Sequence, residues 1–193
     1  MIKRLLILAF AVAVTNLRAA DEYTIDTAHT QVGFSVKHMV IATVRGHFKE
    51  FSGKVLYDAQ DITKSQIEGV IKTASIYTDN EKRDAHLRSA DFFDATQYPD
   101  ITYKSKKIFK RNNEWVALGD LTMRGVTKEI ELTFTVSDQI TDPYGNLRVG
   151  VEAKGKINRL DFGVSWNKTL DGGGVVVSNE VTIELTGEFI KKK

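Results

Sequence analysis

Four histidines and a cluster of aspartates are the residues of this 193-residue sequence best suited to chemistry. A metal site needs three or four ligands converging on one point. None of His29, His38, His47 and His86 has a second histidine within five residues, so each reads as a turn or surface histidine and no metal is expected. Asp79, Asp84, Asp91, Asp94 and Asp100 crowd one stretch, and a pair of carboxylates is the machinery of glycoside hydrolysis. Helix and turn chemistry explains them more simply. Asp84 stands one helical turn before Arg88, and Asp79 and Asp91 stand where helix N-termini favour anions. There is no cysteine for thiol catalysis, and no G-x-S-x-G elbow, P-loop, H-E-x-x-H or dinucleotide-binding glycine fingerprint. No catalytic residue and no cofactor are therefore expected. Arg83 and His86 stand apart, with two readings. Either they hold the polar head of a ligand, such as a phosphate or carbonyl, or they pair with Asp94 or backbone carbonyls and only fix a helix in place.

That helix is the segment around residues 79–90. Thr78 and Glu81 have the spacing of a capping box. At 100° per residue Arg83, His86, Leu87 and Ala90 share one face, and Pro99 pushes Tyr98 toward extended backbone.

Around the helix the sequence alternates with period two. Residues 23–36 hold a short strand or two, and residues 38–43 are apolar without alternation, as in a helical turn. Residues 44–58 read as one strand bent at Gly46 and Gly53, and residues 66–76 as another. Ile101, Tyr103 and Ser105 alternate with Thr102, Lys104 and Lys106. Trp115, Ala117, Gly119, Leu121 and Met123 share one parity, and Ile130 to Val136, Val149 to Gly155 and Val181 to Phe189 alternate with polar or charged residues, with a turn at Asp142 to Asn146. About eight one-faced antiparallel strands predict an all-β sandwich or closed barrel, with one short helix near its opening. Small residues on the apolar side, such as Gly69, Ala117, Gly119, Ala153 and Gly155, either leave the lumen open or face large residues on neighbouring strands. An open lumen suits a greasy, elongated molecule. The candidate lining and mouth residues are Phe34, Val36, Arg83, His86, Leu87, Phe92, Tyr103, Leu121, Met123, Leu132, Phe134, Phe162 and Trp166.

The first residues read as an address. Lys3 and Arg4 precede a ten-residue apolar run, Leu5 to Val14, too short to span a bilayer as a helix, and small residues follow at Ala19 and Ala20. A cleaved signal peptide over residues 1–20 and a single domain over 21–193 are expected, with the periplasm as destination. Three of the 27 basic residues and no acid fall within residues 1–20. That leaves 24 basic against 25 acidic, a net charge of −1, which does not fit nucleic-acid binding.

Several blocks in order resemble the YceI-like family. They are Asp26-Thr27-Ala28-His29-Thr30, Phe34 to His38, Val44 to Phe48, Arg83 to Leu87, Asp91 to Asp94 with Tyr98-Pro99, Gly119 to Lys128 and Asn158 to Gly163. Thr30 departs from the serine frequent there. The resemblance implies a lipocalin-like antiparallel barrel that binds a polyisoprenoid or similar long-chain lipid in its lumen, and it carries over no catalytic set. The expected partner is that lipid, with transient contact with a membrane surface and a homodimer left open. Two other readings remain open: an enzyme that modifies such a lipid with His86 and an aspartate, and a structural domain whose barrel is filled.

Overall fold

The computed structural model describes residues 20–171 and 173–193. The leader expected over residues 1–20 thus lies, apart from Ala20, outside the described residues. The strands are β1 Asp21–His38, β2 Ala42–Phe48, β3 Phe51–Tyr57, β4 Gln66–Lys72, β5 Ile76–Tyr77, β6 Asp100–Arg111, β7 Glu114–Met123, β8 Val126–Val136, β9 Ile140–Thr141, β10 Leu147–Asn158 and β11 Val177–Lys191; the helix α1 is Glu81–Arg88.

Eight of these strands form a closed antiparallel barrel in the order β1-β3-β4-β6-β7-β8-β10-β11, and β11 returns to pair with β1. The predicted all-β barrel of eight strands is what forms. Closure removes the free sheet edges that an open sheet of this size exposes. The seam is long: Tyr23 pairs with Lys191 and Val36 with Val181, interrupted by a bulge between Asp26 and Gln31. β5 extends β2, and β9 pairs with β10.

Several local expectations are corrected. Residues 21–38 form one long strand rather than a short strand or two, because β11 pairs with it on both sides of the bulge. The apolar segment after His38 is a hairpin tip and not a helical turn. Met39 and Val40 there have φ of 48° and 65°, a region that β-branched residues rarely enter. Residues 44–58 divide at Lys49-Glu50 into β2 and β3, which pair with different halves of β1. β4 stops at Lys72, where a single 3₁₀ turn, Thr73–Ser75, leads into β5.

The helix begins two residues later than expected. Asn80, not Thr78, caps it, its side chain accepting from the Arg83 amide at 2.9 Å. The capping box does not form, because Thr78 is used otherwise. Its hydroxyl donates to the buried Asp84 carboxylate at 2.5 Å and accepts from Arg83 Nε at 2.8 Å. Asp84 is therefore tied to Thr78 rather than to Arg88, which donates to the Ile76 carbonyl at 3.4 Å.

Candidate ligand-binding lumen

Alternation aims one side of every barrel strand inward. The small inward residues do two different things. A Cβ on Gly119 would meet the Lys104 carbonyl at 2.5 Å and the Tyr103 ring at 2.8 Å, and one on Gly155 would meet Leu132 at 2.6 Å. At these positions a large neighbour fills the space, and Tyr103 lies over Gly119 with its hydroxyl donating to the Ala117 carbonyl at 3.0 Å. Gly69 has no such neighbour: its nearest atom would be the Ser52 carbonyl at 3.8 Å. The result is a partly filled barrel with a cavity of about 270 Å³.

All eight barrel strands line this cavity, and its wall is almost wholly apolar. Of the residues singled out in the sequence, Phe34 and Val36 (β1), Tyr103 (β6), Leu121 and Met123 (β7), Leu132 and Phe134 (β8), Leu87 (α1) and Phe92 line it. Burial pushes the Tyr103 phenol up, with a smaller contribution from Asp120.

Arg83, His86, Phe162 and Trp166 are not among the lining residues. Arg83 is exposed and clamps Thr78, its Nη2 donating to the Thr78 carbonyl at 2.5 Å. His86 Nε2 meets Asp91 at 2.9 Å, and its ring stands edge-on to Phe92 at 4.9 Å and to Trp166 at 5.0 Å. Phe162 is buried, and Trp166 packs on the same apolar cluster. His86 and Trp166 thus form a second layer behind Phe92, and Phe162 is buried in the same cluster. Of the two readings for Arg83 and His86, the contacts match the one in which they fix the helix, although His86 uses Asp91 and not Asp94.

The barrel has two unlike ends. At the tyrosine end Tyr23 is fully buried, packs edge-on against Tyr57 at 5.7 Å, and its hydroxyl accepts from Gln139 Nε2 at 2.8 Å. Nearby, Arg148 binds three carboxylates: Asp26 at 2.5 Å, Asp142 at 2.7 Å and Glu188 at 2.9 Å. The Arg148 guanidinium, then the His29 ring, hold Asp26 down at about 2. Arg148 and the Asn146 amide hold Asp142 lower still. Ligand atoms of Asp26, His29 and Glu188 fall within 4.8 Å of one another. That trio is invisible to histidine spacing because Glu188 is distant in sequence, and Arg148 already binds both of its carboxylates.

At the helix end a different arginine lines the cavity. Arg159 opens the 3₁₀ turn Arg159–Phe162, which Asn158 caps through the Leu160 amide. It is 4% exposed, and all its bonds go to backbone carbonyls: Ser178 at 3.0 Å, Val164 at 2.6 Å, Trp166 at 2.9 Å and Val177 at 3.3 Å. Burial pushes its guanidinium below the ordinary value. Sequence reasoning missed this residue. Its partners are main-chain atoms, which leave no side-chain pattern, and the one available signal was its place in the Asn158–Gly163 block.

A closed antiparallel barrel of eight strands around an apolar tunnel defines the class: a small β-barrel with an interior able to take a slender ligand. A family model described as the YceI-like domain matches residues 23–189, and the chain belongs to that family. Protein YceI of Shigella flexneri is 36% identical over 176 residues, covering 90% of this chain and 89% of its own. The crystal structure of the Campylobacter jejuni YCEI protein is 34% identical with a TM-score of 0.69, covering 89% of this chain and 98% of that one. A domain of Saccharophagus degradans, described as polyisoprenoid binding and implicated in plant cell wall breakdown, shares the fold at 14% identity. Its TM-score is 0.66, with 90% of this chain and 99% of that chain covered.

Proposed function

We propose that this protein binds, without chemical turnover, a long-chain amphiphile of the polyisoprenoid, isoprenoid-quinone or fatty amide or acid type, with the tail in the barrel lumen. The observation that carries this is the cavity itself, about 270 Å³ with an apolar wall drawn from every barrel strand. Such a wall offers a hydrocarbon tail about 25 cal/mol per Å² removed from water. Membership of the YceI-like family supports the reading, as does the fold shared with a polyisoprenoid binding domain. His86, the residue a catalytic reading would use, stands behind Phe92 rather than on the wall.

The leader over residues 1–20 makes the periplasm the proposed compartment. Loading and release there require transient contact with a membrane surface, since free long-chain lipids are scarce in water. The protein is expected to act as a carrier between such surfaces.

Lipid extraction of protein purified from its native host, followed by mass spectrometry, should return one amphiphile per chain. An empty extract, together with no uptake of polyprenyl phosphate, isoprenoid quinone or fatty amide, would overturn the proposal. Ala153 is a small residue on the β10 wall. Ala153→Trp should lower uptake at least tenfold while the barrel stays folded.

A further inference from the structure

Among the residues that line the lumen, one cation is buried without a counter-charge. The Arg159 guanidinium has five N–H groups. Four of them reach the carbonyls of Ser178, Val164, Trp166 and Val177. The fifth, on Nη2, has no acceptor among the described residues, and no carboxylate there lies within ion-pair distance. Glu68, the other charged lining residue, is held by Lys54 and Lys104. Carbonyl dipoles solvate a cation but leave its full charge in place. Burying an unpaired charge is costly, and a guanidinium does not escape by losing its proton near neutral pH.

We infer that Arg159 is the receptor for an anionic head group, so that the amphiphile preferred by the lumen carries a carboxylate or phosphate at the helix end of the barrel. The inference rests on the lumen being a lipid site, as proposed above. Arg159 lines the cavity and has donor capacity left over. The free N–H gives an oxyanion a charge-assisted hydrogen bond, and the dry surroundings strengthen the attraction between the two charges. A neutral alcohol or amide of the same tail gains the hydrogen bond without the charge. The apolar tunnel leading away from Arg159 takes the tail, whichever anion heads it. Arg83, where sequence alone would place a head group, is exposed and committed to Thr78.

The test is a head-group series on two fixed tails, titrated into the full chain by intrinsic fluorescence. Palmitate is compared with palmitamide, and farnesyl phosphate with farnesol. The anionic member of at least one pair should bind about tenfold tighter, and the pair that shows it tells carboxylate from phosphate. Arg159→Gln, which keeps donors for the carbonyls, should bring the ratio to threefold or less, and Arg83→Gln should leave it unchanged. If Arg159→Gln does not fold, Arg159→Lys, which keeps the charge, should retain the preference. Equal affinities within both pairs in the unmodified protein would overturn the inference and leave the lipid site standing. So would a preference that survives in a folded Arg159→Gln. Absence of binding by all four lipids would instead overturn the lumen as a lipid site, and the inference with it.

Discussion

Arg148 and Arg159 stand near opposite ends of the same barrel and are solved in opposite ways. Arg148 gathers Asp26, Asp142 and Glu188, which belong to β1, the β9–β10 turn and β11, and so fastens the seam where the barrel closes. It lies near water, and the pairing holds the Asp26 and Asp142 carboxylates ionised. Arg159 is sealed from water and meets only main-chain carbonyls from the residues that follow it and from the start of β11. One end of the barrel is held shut by ion pairs between its strands. The other carries an unbalanced charge against an apolar tunnel. Ion pairs close to solvent are screened and contribute little each, whereas a buried polar group that loses its partner costs its full desolvation.

Breaking that contrast should show its largest effect at Arg159. Arg159→Ala leaves four carbonyls without their donor and should lower stability by about 3 kcal/mol in urea titration, with little dependence on salt. Arg148→Ala should cost less, and half-molar salt should erode the difference from wild type. A larger, salt-insensitive loss at Arg148 would reverse the comparison.

A pH series sharpens it further. Asp26 sits at about 2 in the folded protein against an ordinary carboxylate value near 4, and Asp142 lies lower still. Groups depressed on folding contribute stability that is complete above the unfolded value and disappears as pH falls through the folded one. The urea midpoint should therefore fall steeply between about pH 4 and pH 2. Arg148→Met should flatten that fall, and Arg159→Gln should leave its slope intact.

The smallest expected effect concerns two hairpin tips with the same left-handed backbone. At the tyrosine end Asn112 and Asn113 have φ of 48° and 68°, and at the helix end Met39 and Val40 have 48° and 65°. Asparagine tolerates this region and valine does not. Val40 is 71% exposed, so little packing is lost by changing it. Val40→Asn should raise stability by about 0.5–1 kcal/mol, read from the thermal midpoint, while the same exercise at Asn113 should yield no gain.

Much of the barrel was legible because its alternation is strict. Ile130 to Val136 and Val181 to Phe189 face inward as their period requires. β6 shows where the rule breaks. A bulge between Ser105 and Lys107 shifts the register, so that Ile108 joins Ile101 and Tyr103 on the lumen side. No local residue announces that shift. The helix was legible in kind but not in its first residue, since Thr78 and Asn80 are both good caps and only the buried Asp84 decides which of them is free. The division between β2 and β3 is equally a tertiary matter, set by which half of β1 each one meets. Arg83 and His86 looked like ligand contacts because the sequence displays their polarity. Arg159 stayed hidden because what surrounds it is backbone.

The pairing of Tyr23 with Lys191 sets the order in which this chain can become a barrel. Until the fifteen residues of β11 are available, β1 and β10 are both raw edges carrying one greasy side each. No amount of local hairpin formation can seal them, because the strand they need is the last one. Contacts this remote in sequence make for slow folding. A chain cut before Val177 would thus be an open, sticky sheet rather than a smaller barrel, and its fate would be association with other copies of itself.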